Sequence, residues 1–372
     1  MNILIDALSA RLGGGITYIR HILPALLELD SPHKFFILLS SQYQDDLIRA
    51  VPPGVTVIPL DLPAEPLSKR WLFLQTGLVS LLKQHQINLF YAPAESSYLR
   101  IPIPFVMMAR NLTIYAPLSS YADQKMALLK YRLSRQFPVF LSLQRADRVV
   151  VVSKTFGDQV RHQMHLKPNK MRVVYHGVST LFTQKAEPPD YLPTTSPYYL
   201  MVSSIYPHKN HETLLRAYSH LPGDSPHLLI AGKAADSPTY EALQTIVREA
   251  KLSERVHFLG EVAYDKLPGL YQGALASVFA SRLETFGHPL VEAMASQTPV
   301  IASNLPICQE ICQDAALYFD PDDEQALAEH LRLVWQDETV RARLRAAGQQ
   351  RAAYFSWQKS AQQLVNVFEE LR

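Results

Sequence analysis

The 372 residues exceed what one hydrophobic core usually organises, since single cores stop growing near roughly 250 to 300 residues, so two domains are expected. A chain that is 48% hydrophobic and 19% charged is neither disordered nor fibrous, and no apolar run approaches the ~20 residues of a membrane-spanning helix. The net charge of +2 conceals an asymmetry: residues 1–190 hold 21 Lys+Arg against 13 Asp+Glu, whereas 191–372 hold 15 against 21.

The first stretch, MNILIDALSARLGGG, has no basic start, carries Asp6 inside its apolar run and breaks at glycines, so it does not read as a signal peptide. Short β-branched or aromatic runs follow in order: NILIDA, FFILLS, VTVIPL, NLFYAP, PFVMMA, RVVVVS and MRVVYH. Helical periodicity lies between several of them, in ITYIRHILPALLEL, SKRWLFLQTGLVSLLKQHQ and QKMALLKYRLSRQ. KAEPPDYLPTTSP, residues 185–197, reads as a proline-rich linker. Beyond it YYLMVS, HLLIAG, RVHFLG, ALASVFA and TPVIAS alternate with HETLLRAY, TYEALQTIVREA, LPGLYQGA and PLVEAMA. The alternation predicts an α/β protein of two doubly wound, Rossmann-like domains, 1–190 and 191–355, facing each other across a cleft where ligands bind. Residues 356–372 are expected to form a terminal helix packed back on the first domain.

Within the second half, SRLETFGHPLVEAMASQTPV joins a strand ending at Ala280 to a helix opened by Pro289. Amides near Gly287 and His288 then form a helix N-terminus, with unpaired donors and about half a positive charge, which suits a phosphate. Glu284 precedes the turn and Glu292 is expected in the first helical turn, so both can reach a ligand lying across that end. Carboxylates accept paired hydroxyls, and the combination fits a nucleotide sugar. The spacing is equally compatible with Glu292 complementing the helix dipole and Glu284 being a solvated acid.

Other candidates receive plainer readings. Cys308 and Cys312, four apart on a predicted helix, read as reduced, semi-buried residues of a cytoplasmic protein rather than as a zinc or disulfide framework. Asp320 and Asp322 in LYFDPDDEQALAEHL match the D-x-D of metal-dependent sugar transferases, but they also match a helix start, and no obligatory metal is expected. Lys125, Lys130, Arg132 and Arg135 lie beside Met126, Leu128, Leu129 and Leu133, a basic amphipathic pattern that fits either an anionic membrane surface or a packed helix with a solvated face. No basic and aromatic interleaving supports nucleic acid as a partner.

ETFGHPLVEAMA followed by TPVIAS resembles the E-x7-E signature of the retaining family-4 glycosyltransferases, which have the GT-B fold. GGGITYI, ADRVVVVS, VVYHGVS, LMVSSIYPHKN, RVHFLGEV and FSWQKSAQQLVNVFEEL resemble that family's other landmarks in the expected order, over nearly the whole chain. The resemblance implies that Glu284 binds hydroxyls of the transferred sugar and that Glu292 binds the ribose. Phe286, Gly287 and His288 would offer main-chain amides to the sugar and diphosphate. Lys209 would pair with the phosphates, and Gly14 and Gly15 would let a loop approach donor or acceptor without a Cβ.

The reaction so implied is transfer of a sugar from a nucleotide diphosphate with retained configuration to a saccharide or lipid-linked saccharide. The leaving phosphate would help to deprotonate the acceptor on the same face, and no cofactor would be needed. Ser204 stands where many relatives have arginine, so leaving-group stabilisation would lean on Lys209, His208 and the helix end. Arg110 and Asn111 replace a His-Asp pair; Arg110 is permanently charged and no base, so it would bind an anion or pair with a structural carboxylate. These departures leave a second class open: a catalytically silent, donor-binding partner of another transferase. A nicotinamide enzyme fits less well, since Tyr18 occupies the place of the last glycine in G-x-G-x-x-G.

Overall fold

The computed structural model describes residues 1–10, 14–42, 44–63, 67–115 and 132–372. These residues form two compact units: 1–177 together with 357–372, and 178–356. Among the described residues no helix is long and apolar enough to cross a membrane. Lys125, Lys130, Met126, Leu128 and Leu129 of the basic amphipathic stretch lie outside the described residues, as do the side chains of Arg132 and Leu133.

The first unit is built on β1 (Asn2–Asp6), β2 (Lys34–Ser40), β3 (Val55–Leu60), β4 (Leu89–Ala92), β5 (Phe105–Ala109), β6 (Arg148–Val151) and β7 (Met171–Val173). They pair in parallel in the order β3-β2-β1-β4-β5-β6-β7. Strands β4 and β5 are buried at every residue, which is why LFYA and FVMMA are apolar throughout rather than alternating. The order reverses between β1 and β4, and the carboxyl ends of those strands are where a doubly wound sheet receives ligands.

The helix Trp357–Glu369 completes this unit. Its apolar stripe, Trp357, Ala361, Leu364, Val365 and Phe368, is buried, and Trp357 stacks on His21 at 5.4 Å. Ser360 donates to the Tyr175 carbonyl at 2.5 Å. Just beyond the helix, Glu370 accepts bonds from Arg148 at 2.6 Å and from Arg172 twice at 2.7 Å. Those bonds, Arg172's first, hold the Glu370 carboxyl down at about 2. A depressed carboxylate contributes stability above its unfolded value and loses it as pH falls through the folded one. Because these side chains remain about one-third exposed to screening water, Glu370→Ala should cost about 1 kcal/mol at neutral pH and nothing near pH 2, read from paired urea titrations.

The second unit holds β8 (Tyr198–Val202), β9 (His227–Ala231), β10 (Val256–Gly260), β11 (Ala276–Phe279), β12 (Val300–Ser303) and β13 (Ala316–Phe319), parallel in the order β10-β9-β8-β11-β12-β13. Its core joins Tyr199, Leu214, Leu228, Ile230, Val278 and Leu331 beneath the sheet's helices. Strand β13 is an addition to the sequence expectation, its four residues lying immediately before the acids that read as a helix start. The domain boundary also differs. Residues 178–190 pack with this second unit, not the first, because Phe182 is fully buried against the rings of Tyr264 and Tyr271 at 5.4 and 5.9 Å. The Glu187 carbonyl lies so close to Gly269 that a Cβ there would stand 2.1 Å away. Proline content marked a linker, but these contacts hold its first part to the second unit.

Candidate functional site

The reversal of strand order in the second unit falls between β8 and β11, and the segments leaving those two strands carry the E-x7-E motif and Lys209. After β8, the Ser203 amide bonds the Ala231 carbonyl at 2.9 Å. Gly232 makes this approach feasible, since a Cβ on it would fall 1.9 Å from the Ser203 oxygen. Pro207 opens a short 3-10 turn, Pro207–Lys209, and Asn210, at φ 60° and ψ 40°, bends the chain into the helix His211–Ser219. Asparagine tolerates this left-handed conformation better than most residues. Lys209 therefore ends a 3-10 turn, just before the helix begins.

The segment after β11 runs from Ala280 to Gly287, which caps the helix His288–Ala295 at φ 86°. A side chain there would be strained, and its Cβ would meet Leu290 at 2.9 Å. Phe286 is buried, edge-on to Phe355 at 5.8 Å, so its ring pins the turn while only its backbone can serve a ligand. The Arg282 amide bonds the His208 carbonyl at 2.8 Å and ties the two segments together.

That tie brings Lys209 and Glu284 into contact. Lys209 Nζ donates to Glu284 Oε2 at 2.7 Å, with the side chains only 18% and 13% exposed, and the Thr285 amide donates to Oε1 at 3.0 Å. Burial, the largest influence, pushes the Glu284 carboxyl up; the Lys209 charge and hydrogen bond, with the Thr285 amide, more than offset it and leave the group below its ordinary value. His208 stacks on Tyr206 at 5.6 Å, and burial followed by the Lys209 charge lowers its imidazole. It is a neutral donor or acceptor beside the pair at neutral pH. Ser204 is half-buried in the same segment. The pair amounts to a cation for phosphate oxygens and a carboxylate for hydroxyls, held against each other beside a helix N-terminus.

Glu292 is placed differently from the expectation. It is the fifth residue of its helix, in the second turn rather than the first, and it is 6% exposed. The Tyr271 hydroxyl donates to its Oε2 at 3.3 Å, and Tyr264 supplies a second hydrogen bond. Burial raises its carboxyl to about 7 against the downward pull of the two tyrosines. Because the helix begins at His288, position 292 falls in its second turn, where every residue from Leu290 to Ala295 is buried. Sequence reading found the acid and missed both tyrosines, although Tyr271 sits at helical spacing from Leu267 in LPGLYQGA.

The D-x-D acids are engaged within the unit. Asp322 accepts from Arg282 Nε at 3.0 Å and Nη2 at 2.6 Å, and Asp320 accepts the Asp322 amide at 2.9 Å. The helix Glu324–Gln336 is capped by Asp323, through the Ala326 amide at 2.9 Å, so the cap is the acid that follows the D-x-D and not one of its own.

In the first unit the carboxyl ends of β1, β4 and β5 carry the remaining candidates. Asp6 is buried, accepting the Leu8 amide at 2.9 Å and the Tyr98 hydroxyl at 2.5 Å. Gly14 and Gly15 begin the helix Gly14–Leu27 rather than remaining in a loop. A Cβ on Gly15 would meet Ala10 at 3.3 Å and the Arg110 guanidinium at 3.4 Å, whereas Gly14 is open. Arg110 donates to the Gly14 carbonyl at 3.3 Å and lies 5.2 Å over the Tyr18 ring. The Asn111 side chain accepts from the Thr113 amide and hydroxyl at 3.1 and 2.8 Å and caps a turn. Glu95, which sequence reading passed over, fixes both residues by accepting their amides at 2.6 and 2.8 Å. Its burial raises the carboxyl despite those bonds. An acid among small residues just past the carboxyl end of a buried strand was the available signal.

Two family models tile the chain: Glycosyltransferase Family 4 over residues 12–181 and Glycosyl transferases group 1 over 183–351. Among curated proteins, the O-antigen chain mannosyltransferase RfbU of Salmonella typhimurium is 35% identical over 192 residues, 51% of this chain and 52% of that protein. O-antigen chain mannosyltransferase B of Escherichia coli is 32% identical over 178 residues, 47% and 46% of the two chains. The matches thus span about half the length of these curated relatives. Sucrose-phosphate synthase from Thermosynechococcus elongatus superposes with a TM-score of 0.79 at 21% identity, covering 100% of this chain and 99% of that one. Anabaena Alr3699/HepE in complex with UDP and glucose gives 0.77 at 19%, covering both chains fully. At these identities the two structures speak to the fold.

Proposed function

The chain belongs to the family-4 glycosyltransferases of GT-B fold, and on that premise we propose that it moves a sugar from a nucleotide-diphosphate donor to a hydroxyl of a saccharide or lipid-linked saccharide, with retention of anomeric configuration. The observation that carries the proposal is the Lys209–Glu284 contact at the strand-order reversal of the second unit. On donor binding Lys209 turns to the phosphate oxygens and offsets the charge that grows as the glycosidic C–O bond to the diphosphate breaks. Glu284 accepts sugar hydroxyls and fixes the reacting carbon, while the amides after Gly287 receive phosphate and sugar oxygens. The departing phosphate oxygen takes the proton of the attacking acceptor hydroxyl, which closes the balance without a protein base. We assign no resident metal to the reaction, because Asp322 of the D-x-D is engaged by Arg282. Mannose is the proposed donor sugar, from the names of the curated relatives.

Thermal stabilisation by UDP, GDP, ADP and CDP and their sugar conjugates, with NAD as control, tests the donor assignment. A ligand at 100 times its dissociation constant adds about 2.7 kcal/mol to folding stability, so one diphosphate series should stand out. Response to no nucleotide, or to NAD alone, overturns the proposal. Binding without transfer to any saccharide acceptor would instead mark a donor-binding partner protein.

A further inference from the structure

Arg282 is used by neither the proposed chemistry nor the family signature, yet its guanidinium and its backbone amide are both engaged beside the pair. Its Nε and Nη2 both grip Asp322 Oδ1 at 3.0 and 2.6 Å, its Nη1 donates to Asn210 Oδ1, and its own amide holds the His208 carbonyl at 2.8 Å. Asn210 in turn donates to the Pro321 carbonyl at 2.7 Å and accepts from the Thr213 hydroxyl at 2.9 Å. Three segments meet in this way: the one carrying His208, Lys209 and Asn210, the one carrying Arg282 and Glu284, and Asp320–Asp323 after β13. Arg282 lies two residues before Glu284, and both immediate neighbours of Lys209 are bonded to it.

We propose that Arg282, anchored by Asp322, is a positioning residue that sets Lys209 against Glu284. This rests on the reading of that pair as the donor site. Arg282 and Asp322 are 42% and 74% exposed, and an exposed ion pair alone contributes little to stability. What the two-pronged grip supplies is direction: a planar guanidinium offers fixed donor geometry that a lysine ammonium lacks. Misplacement of a reacting group by about 1 Å can cost about 100-fold in rate, so a brace on both sides of the pair acts on turnover more than on folding.

The test uses the full chain with Arg282→Ala, Arg282→Lys, Asp322→Asn and the Arg282→Ala/Asp322→Asn double variant. Donor kcat and KM are measured separately, and melting temperature confirms folding. Arg282→Ala should lower kcat about 10- to 100-fold with KM changed less than about threefold, and Arg282→Lys should recover only part of the loss. Asp322→Asn should act in the same direction, and the double variant should be no worse than Arg282→Ala, because both remove one brace. Normal kcat in Arg282→Ala, or losses that multiply in the double variant, overturn the inference while leaving the donor site standing. Wild-type protein that neither binds nor turns over any nucleotide sugar overturns the donor site itself, and the inference with it.

Discussion

Lys209→Ala should lower turnover by about 100- to 1,000-fold and weaken nucleoside diphosphate binding, whereas Glu284→Ala should abolish transfer while leaving nucleoside diphosphate affinity equal to wild type or tighter. The asymmetry follows from the contact itself. In the free protein the two groups neutralise each other at 2.7 Å, so a diphosphate must draw Lys209 away from Glu284. Deleting Glu284 releases the cation for phosphate but removes the acceptor of sugar hydroxyls. Deleting Lys209 leaves a carboxylate 13% exposed that keeps the Thr285 amide but has lost the charge and hydrogen bond that do most to offset its burial. Removing one partner of a fully buried pair costs about 3 to 5 kcal/mol, and partial exposure should reduce that to about 2 here. Calorimetric titration of a nucleoside diphosphate into both variants, beside initial rates, separates the two. Lys209→Ala with kcat/KM within about threefold of wild type would remove the lysine from the chemistry.

What was legible in the sequence was whatever repeats or clusters locally. Runs such as RVVVVS and YYLMVS announce buried parallel strands through β-branched and apolar content, and both sheets form where those runs lie. The E-x7-E segment was legible because the glycine turn, the proline and both acids are close in sequence. Partners chosen by tertiary packing were not. Lys209 and Glu284 are 75 positions apart, and Asp322 is 40 from Arg282. No periodicity encodes such pairings; they follow from two loops leaving neighbouring strands at a reversal of order. Glu292 shows the same limit, since its place in the helix was one turn from expectation and its environment depends on Tyr271, 21 residues earlier.

The environment of Glu292 sets the second large effect, a stability that depends on pH with the opposite sign to that of Glu370. Its carboxyl stands near 7 when folded, against an ordinary value of 4.5. Between those values the folded state holds a proton that the unfolded chain releases, so this group lowers stability as pH rises through that window and reaches its full cost above about 7. A shift of this size corresponds to a cost on the order of 3 kcal/mol. Glu292→Gln keeps the shape and removes the charge. The variant should therefore match wild type near pH 4 and exceed it by on the order of 3 kcal/mol near pH 8.5, measured by urea unfolding at both. The same proton couples to the proposed ligand. Ribose hydroxyls donate, and an ionised carboxylate accepts them better than a protonated one, so wild-type affinity for a nucleoside diphosphate should rise through pH 7 and then level off. In Glu292→Gln that rise should vanish, leaving affinity near the wild type's low-pH value at every pH. A stability difference between the two proteins that is equal at both pH values would show that Glu292 does not titrate in this window. The tyrosines would then be holding an ordinary carboxylate.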